Sequence, residues 1–585
     1  MNKVQILGSD GQPLRQQRPS MLVGGSRVPY DAADSFSDQL ANWQPALWSP
    51  DNEINIYRDR IVSRARDLVR NDGWANGAVT RLLDNAVGAN FRPIMKPDYR
   101  VLRMITGNKA FDASWAEEYG KALDGHWRTW SNDPGRYCDV ERKLTVSQML
   151  RLGFRHKLID GDALAILQYR TDRLGPGRGR YATTVQIVDP DRLSNPQQNF
   201  DMPNVRGGVE IDADGAPVAY HIREAHIGDW WSGAKTMTWQ RIPRETDWGR
   251  PHVVHDFDHE RGAQHRGNGI LTPVIQRLKM LVKYDQSELE AAILNAIFAA
   301  YIESPYDPAM VQSALGETYD ESELGTYQDG RVEFHNDRRL TLQNGARMPI
   351  LYPGEKITTV NAARPYSNFE VFESAVLRNF SSGTGLSPQQ VTQDWSDVNY
   401  SSARSSLLEA WKTLTRRRDD FSTGFAQPIL TAFVEEVHDN EDLPLPAGAP
   451  DFVDARAAYS RARWMGPGRG WVDPVAEKKG AILGLDAGLS TLEIEVGENV
   501  GEDWEEVLDQ RQREIESCLK RGFVARRFFL HQNAINFALP EGAKKTHSAQ
   551  CKNERKECLL MLLLSRITLV ESRQTDSIFE SYISM

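Results

Sequence analysis

Cysteine is scarce in this sequence: Cys138, Cys518, Cys551 and Cys558 are the four in 585 residues. None stands in a Cys-x-x-Cys pair, which excludes a disulfide framework and a structural zinc cage and points to a reducing compartment. Long apolar runs are also missing. The run Leu559–Leu564 is six residues, whereas a bilayer span takes roughly twenty. The opening residues MNKVQILGSDGQPL lack the apolar core of a signal peptide. Positive charge is in deficit, with 70 Lys and Arg against 80 Asp and Glu and a net charge of −10. That disfavours a non-specific nucleic-acid binder working through a basic surface. What remains, 40% apolar and 26% charged, describes a soluble protein of cytoplasmic type, long enough for about two to four domains.

Catalytic signatures are equally thin. A phosphate-cradling loop needs Gly-Lys-Ser/Thr after its glycines. "SGAKTMT" at 232–238 lacks the glycine before Lys235, and "GPGRGRY" at 175–181 has no Lys-Ser/Thr. No Gly-x-Ser-x-Gly elbow occurs. "DADG" at 212–215 opens like a calcium loop but lacks the later ligands, so it reads as a hairpin turn. The sequons at Asn379 and Asn399 carry no meaning in an unsecreted chain. The sharpest catalytic candidate is "HVVHDFDHERGAQH". There His252, His255, Asp256, Asp258, His259, Glu260 and His265 offer the ligand types of a metal hydrolase. Zincin spacing is absent, however. On a strand His255, Phe257 and His259 would share one face, with Asp256, Asp258 and Glu260 on the other. A polar strand and turn, with no metal or cofactor, is the preferred reading.

The organisation along the chain is more informative. Residues 1–45 are polar, without periodicity, and read as a flexible arm. Ile54, Tyr57, Ile61, Ala65, Leu68 and Val69 recur at helical spacing, and a second run with Trp74, Ala78, Leu82 and Val87 stops at Gly88. From about 140 to 265 the pattern is mixed: a helix, a turn at Asp160-Gly161-Asp162, then short strands with a tight turn at Asp214-Gly215. They are too irregular for a doubly wound sheet. Thr272 and Pro273 can open a helix that runs to Glu303 without a breaker. Residues 304–354 hold turns at Asp329-Gly330, Asn344-Gly345 and Pro353-Gly354 between short apolar pieces, the pattern of a small β-containing module. Ser367 and Glu370 form a capping box opening a helix that stops at Gly383 and Gly385. Leu407, Trp411, Leu414, Phe421 and Phe425 mark another, expected to end before Pro428, with further helices at 428–438 and 474–520. Between the helix that stops at Gly383 and Gly385 and the one marked by Leu407 lies "TQDWSDVNYSSARSS", polar yet carrying Trp395 and Tyr400. Residues 524–585 form an atypical tail.

This order of segments, together with specific strings, resembles the lambda family of tailed-bacteriophage portal proteins, or head-tail connectors. The strings are "RARDLVRNDGWANGAVTRLLDNAVGANFRP", "GGVEIDADGAPVAYHI", "RGAQHRGNGILTPVIQRLKMLVKYDQSELEAAILNAIFAAYIES", "PGEKITTVNAARPYSNFEVF", "DWSDVNYSSARSSLLEAW" and "GWVDPVAEKKGAILGLDAGLST". Together they cover roughly residues 45–520.

The resemblance implies an α+β, predominantly helical fold with wing, long-helix stem, small α/β clip and helical crown. It places the wing at 46–270, the stem helix at 271–303 and the clip at 304–354. The returning stem, wing helices and tunnel loop fall at 355–430, with the crown at 431–523. It implies no enzyme, but a ring of identical subunits, commonly a dodecamer, at one capsid vertex. Double-stranded DNA passes through that ring non-specifically. The implied partners are the terminase large subunit, major capsid and scaffold proteins, and head-tail connector proteins, with no membrane. The virion is the implied location, after assembly in the host cytoplasm. The family's tunnel loop falls on 392–400, making Gln393, Asp394, Trp395, Asp397, Asn399 and Tyr400 the residues expected to face DNA. Arg338 and Arg339 in the clip are expected to meet the motor. An acidic chain suits a conduit, because each cation laid on a phosphate tightens binding and a channel rich in such contacts would grip. A polar helix connection packing Trp395 against a neighbour remains an alternative for the loop. A metal-dependent nuclease on His255 and Asp256, or a helical scaffold, remains one for the whole chain.

Overall fold

Apolar residues at helical spacing build the first three helices, α1 (Pro50–Ile54), α2 (Arg58–Asn71) and α3 (Gly73–Ala86). Asp72 separates the last two, its carboxylate accepting from the Ala75 amide at 2.7 Å as an N-cap. The α3 stop is at Gly88, whose φ of +63° suits the left-handed C-terminal turn. Strand β1 (Arg92–Met95) leads to α4 (Tyr99–Thr106) and α5 (Ala113–Ser131), capped by Asp98 and Asp112. Helix α6 (Val146–Asp160) opens with a Thr145–Gln148 capping box that the sequence reading did not single out. It ends at Gly161, φ +91°, where a Cβ would lie 2.4 Å from the Gly267 backbone.

Past that turn the chain is built from antiparallel strands. β2 (Asp162–Tyr169), β3 (Thr183–Ile187) and β8 (Val253–Phe257) form a sheet of order β3-β2-β8. β4 (Val205–Arg206), β5 (Val209–Ile211), β6 (Pro217–Arg223) and β7 (Trp239–Pro243) form a second sheet in chain order. The Asp214-Gly215 pair turns β5 into β6, as its sequence indicates, with Gly215 at φ +87°. A doubly wound sheet is ruled out, since every strand ladder among the described residues is antiparallel.

Helix α7 is Ile275–Ile297, shorter than expected at both ends. Thr272 does not cap it; its hydroxyl donates to the Gly269 carbonyl at 2.7 Å, within a turn that precedes the helix. At the other end Tyr301–Glu303 is strand β9, paired with β12 (Lys356–Thr358). Pairing with a distant strand overrides the helical preference of that stretch. Strands β10 (Arg339–Thr341) and β11 (Arg347–Pro349) pair across the Asn344-Gly345 position, so the β content expected there is present.

Next come α8 (Phe369–Thr384), α9 (Pro388–Thr392) and α10 (Tyr400–Phe421). Helix α10 does not stop before Pro428. A π-helical turn, Ser422–Ala426, passes directly into α11 (Gln427–Asn440). Proline has no amide to donate, and the wider turn shifts the bonding so that the Gln427 amide reaches the Ser422 carbonyl. Helix α12 (Arg456–Tyr459) and strand β13 (Ala462–Met465) return to pair with β1. A core of aromatic and aliphatic residues joins these helices: Trp130 stacks on Phe433 at 4.5 Å, and Phe421 on Phe425 at 5.1 Å.

The computed structural model describes residues 42–297, 301–303, 339–341, 347–349, 356–358, 369–396, 398–470 and 473–520, with 32, 40 and 332–333. The Ser367 capping box, Arg338, Asp397, the 524–585 tail and nearly all of the 1–45 arm lie outside these residues. The chain falls into two units, 1–474 and 475–585. The second contains the remaining helices, α13 (Pro474–Asp486), α14 (Leu492–Asn499) and α15 (Trp504–Lys520). No described helix is long and apolar enough to cross a membrane.

Candidate DNA-facing loop

The segment between α9 and α10 is a short polar loop fastened at both ends. On the entry side Gly385 adopts φ +78°, and Ser387 and Gln390 make reciprocal capping bonds of 3.2 and 3.0 Å around α9. Val391 is buried and anchors that helix. Gln393 ends it in the left-handed region, φ +59°, with its side-chain amide donating to the Gln390 carbonyl at 2.8 Å. On the exit side Asn399 is the N-cap of α10, accepting from the Ser402 amide at 2.9 Å. Arg418 ties α10 to the body of the unit by donating to the Ala86, Asn85 and Pro467 carbonyls at 2.7, 3.1 and 3.0 Å.

Between the caps, Asp394 accepts from the Ser396 hydroxyl at 2.7 Å and amide at 3.0 Å. The hydroxyl, then the amide, hold its carboxyl below the usual range, so it is ionised at neutral pH. Trp395 and Tyr400 are 39% and 49% exposed. Five of the six expected residues therefore lie together. Gln393, Asp394 and Asn399 all use side-chain atoms in local bonds, while the rings of Trp395 and Tyr400 are exposed. Arg339 lies on β10 opposite Pro349.

The histidine-rich segment does not converge on a metal. His255 Nε2 meets Asp162 Oδ1 at 3.2 Å, while Lys157 holds Asp256 at 2.8 Å and Asp258 at 3.0 Å. His265 contacts Asp51 Oδ2 at 2.8 Å and the Gly215 carbonyl at 3.2 Å. His259 stacks on Phe257, which meets His255 at a tilt of 38°, so the expected shared strand face is present. Asp189, Asp191 and His226 are close enough to share an ion. Both of those carboxylates, however, are bonded to Arg66 at 2.8 Å.

Residues 36–418 match the profile of the family described as phage portal protein, lambda family. Portal protein B of Escherichia phage lambda is 30% identical over 515 residues, covering 87% of this chain and 92% of its own length. The portal protein of Escherichia phage N15 is likewise 30% identical over 513 residues, covering 87% and 92%. The chain belongs to the lambda family of phage portal proteins. Membership brings the portal fold and a place in the virion, and it leaves the nuclease and scaffold readings unsupported. A chain in the neck of an empty GTA particle is also similar in structure, at 14% identity and a TM-score of 0.40, covering 74% of this chain and 92% of that one. That likeness is too loose to carry an argument.

One feature of this portal protein was not foreseen in its sequence: a buried ionic cluster. Asp162 is fully buried and accepts from Arg58 and Arg266 at 2.9 Å each. Burial alone would raise its carboxyl, but Arg266 and Arg58 overcome this and hold it well below the usual range. Arg66 spans Asp160, Asp189 and Asp191, all at 2.8 Å. The cluster ties α2 to the α6–β2 turn and so fixes the frame on which α3, α9 and α10 pack. Arg58 and Arg66 are eight residues apart on one helix face, a spacing that could have pointed to it alongside the Asp160-Gly161-Asp162 and Asp189-Pro190-Asp191 strings.

Proposed function

We propose that this portal protein assembles as a ring, a dodecamer, at a capsid vertex, and that residues 392–400 face DNA moving through its channel. The wing is 46–270, the stem includes α7 within 271–303, and the clip is 304–354. The segment 355–430 returns to the wing with the tunnel loop, and 431–523 is the crown. The clip, with Arg338 and Arg339, meets the terminase large subunit. Other surfaces meet the major capsid, scaffold and head-tail connector proteins, after assembly in the host cytoplasm. The observation that carries the loop assignment is its construction: an exposed polar segment bearing ionised Asp394, capped at both ends and anchored through Arg418. Such a loop can touch a moving duplex without binding its phosphates, because its charge repels them.

The test is Asp394→Lys with Asp397→Lys, read as packaged DNA length in a defined in vitro reaction at low and high salt. Rings should still form, since Asp394 is exposed and outside the core. Packaging should stall at low salt and recover at high salt, as expected for phosphate contacts. Normal packaging at low salt would make the segment a plain helix connection.

A further inference from the structure

Trp230 and Trp231 are 92% and 97% exposed, side by side at the tip of the β6–β7 connection. An isolated exposed apolar residue is ordinary, but two adjacent bare indoles on a structured tip are not. The tip is built rather than loose. Asp229 caps it by accepting from the Trp231 amide at 3.2 Å. At its base the Glu224 amide donates to Thr238 at 2.9 Å, and Arg223 donates to the Thr236 carbonyl at 3.0 Å. A side chain presented on a fixed tip loses little freedom when it docks.

The same unit carries a cleft of about 740 Å³ between the β6–β8 region and the Ser422–Thr431 helical turn. Its lining matches an indole's needs. The half-buried Pro217, Pro251 and Pro428 supply apolar surface, and the exposed Asp214 and Glu245 offer carboxylates for indole N–H donors. Arg456 is pinned by the Gly249 carbonyl at 2.7 Å, while its Nε is buried with no hydrogen-bond partner among the described residues. A fixed guanidinium is a stacking surface for tryptophan. The volume lies within the range of pockets that take a small ligand or an anchor side chain, roughly 300–1,000 Å³.

The geometry points to a head-to-tail contact in which Trp230 and Trp231 of one subunit enter this cleft on a second copy of the chain. A knob and a complementary hole at different places on one chain make a heterologous interface, which closes into a ring when the rotation permits. The inference rests on the ring proposed above and names the contact that drives it.

Three full-length preparations test it: wild type, Trp230→Ala with Trp231→Ala, and Thr423→Trp, which crowds the cleft from an exposed position lining it. Each is checked for unchanged melting and sized by analytical ultracentrifugation. Should Thr423→Trp melt lower, Asp214→Trp replaces it, again from an exposed lining position. Each variant alone should lose ring by more than roughly tenfold, as removal of an interface hot spot does. Mixed in equal amounts, the two should form dimers and nothing larger. The intact knob of one enters the intact cleft of the other, leaving no knob and no open cleft to continue. Rings from the Trp-less variant at wild-type yield, or a mixture that stays monomeric, would overturn the contact. Rings that form without the tryptophans but fail to enter capsids would assign the tip to another protein and overturn it equally. A wild type that forms no ring would overturn the ring proposal itself, a separate outcome.

Discussion

Arg58 donates through both Nε and Nη2 to one oxygen of Asp162, at 3.2 and 2.9 Å, across 104 residues of sequence. Arg266 donates to the same oxygen at 2.9 Å. His255 faces the other oxygen, which also accepts from the Gly267 amide at 2.8 Å. Every acceptor position of the carboxylate is used. Asp162→Ala would leave buried Arg266 with no carboxylate and Arg58 with only the longer contact to Asp191 at 3.4 Å, and breaking a buried pair in this way costs about 3–5 kcal/mol. Urea unfolding should show it; a cost below about 1 kcal/mol would mean that the cluster is not what joins α2 to the sheet.

Acid should weaken this fold by a route separate from the carboxylates. Burial pulls His156, His255 and His438 below the usual imidazole range, His438 to about 4. The unfolded chain therefore binds more protons than the folded one below pH 6.5. For His438 that stability is fully present above 6.5 and falls as pH drops toward 4, by up to about 1.4 kcal/mol per pH unit, and His156 and His255 act in the same sense. Asp256, which burial pushes up to about 6 against the pull of Lys157, works in the opposite sense from about pH 6 down to about 4, where the unfolded carboxyl titrates. The difference between wild type and His438→Gln isolates one histidine. Melting temperatures should converge as pH falls from 6.5 to 4, and parallel curves would show that His438 is not buried neutral.

Gly424 sits in the π-helical turn against Asp256, and a Cβ there would lie 2.2 Å from Asp256 Oδ1. Lys157 holds that carboxylate at 2.8 Å, so it cannot swing away freely. Gly424→Ala should cost about 1–3 kcal/mol, as overpacking does. An unchanged melting temperature would show that the turn can shift to make room.

Much of this arrangement was legible from local chemistry. Gly88, Gly161 and Gly215 marked turns because the chain needs left-handed backbone there, and the alternation in 252–260 placed His255 and Phe257 together. What escaped was non-local. Glu303 sits in a strand because residues 356–358 pair with 301–303, and no periodicity within either stretch reveals that. Pro428 looked like a stop, yet a π-helical turn carries the helix through it. The Asp162 cluster draws on Arg58 and Arg266, each 104 residues away. In the loop, Asn399 also caps α10, a role its position one residue before that helix carries and the polar pattern alone did not show.

Helix α7 offers a direct probe of the stem assignment. Proline inside a helix removes one bond and clashes with the preceding turn, costing about 3 kcal/mol or more. Ala292→Pro falls within Ile275–Ile297 and should abolish ring formation, as scored by size exclusion with light scattering. Intact rings from that variant would remove the helix from the stem.

The central claim is that this acidic chain is one subunit of a closed conduit. Negative-stain electron microscopy of the purified full-length protein tests it most directly. The account expects uniform rings with an axial hole, with the dodecamer visible as symmetry in class averages. Monomers, or compact particles without a hole, at concentrations where related rings persist, would contradict it.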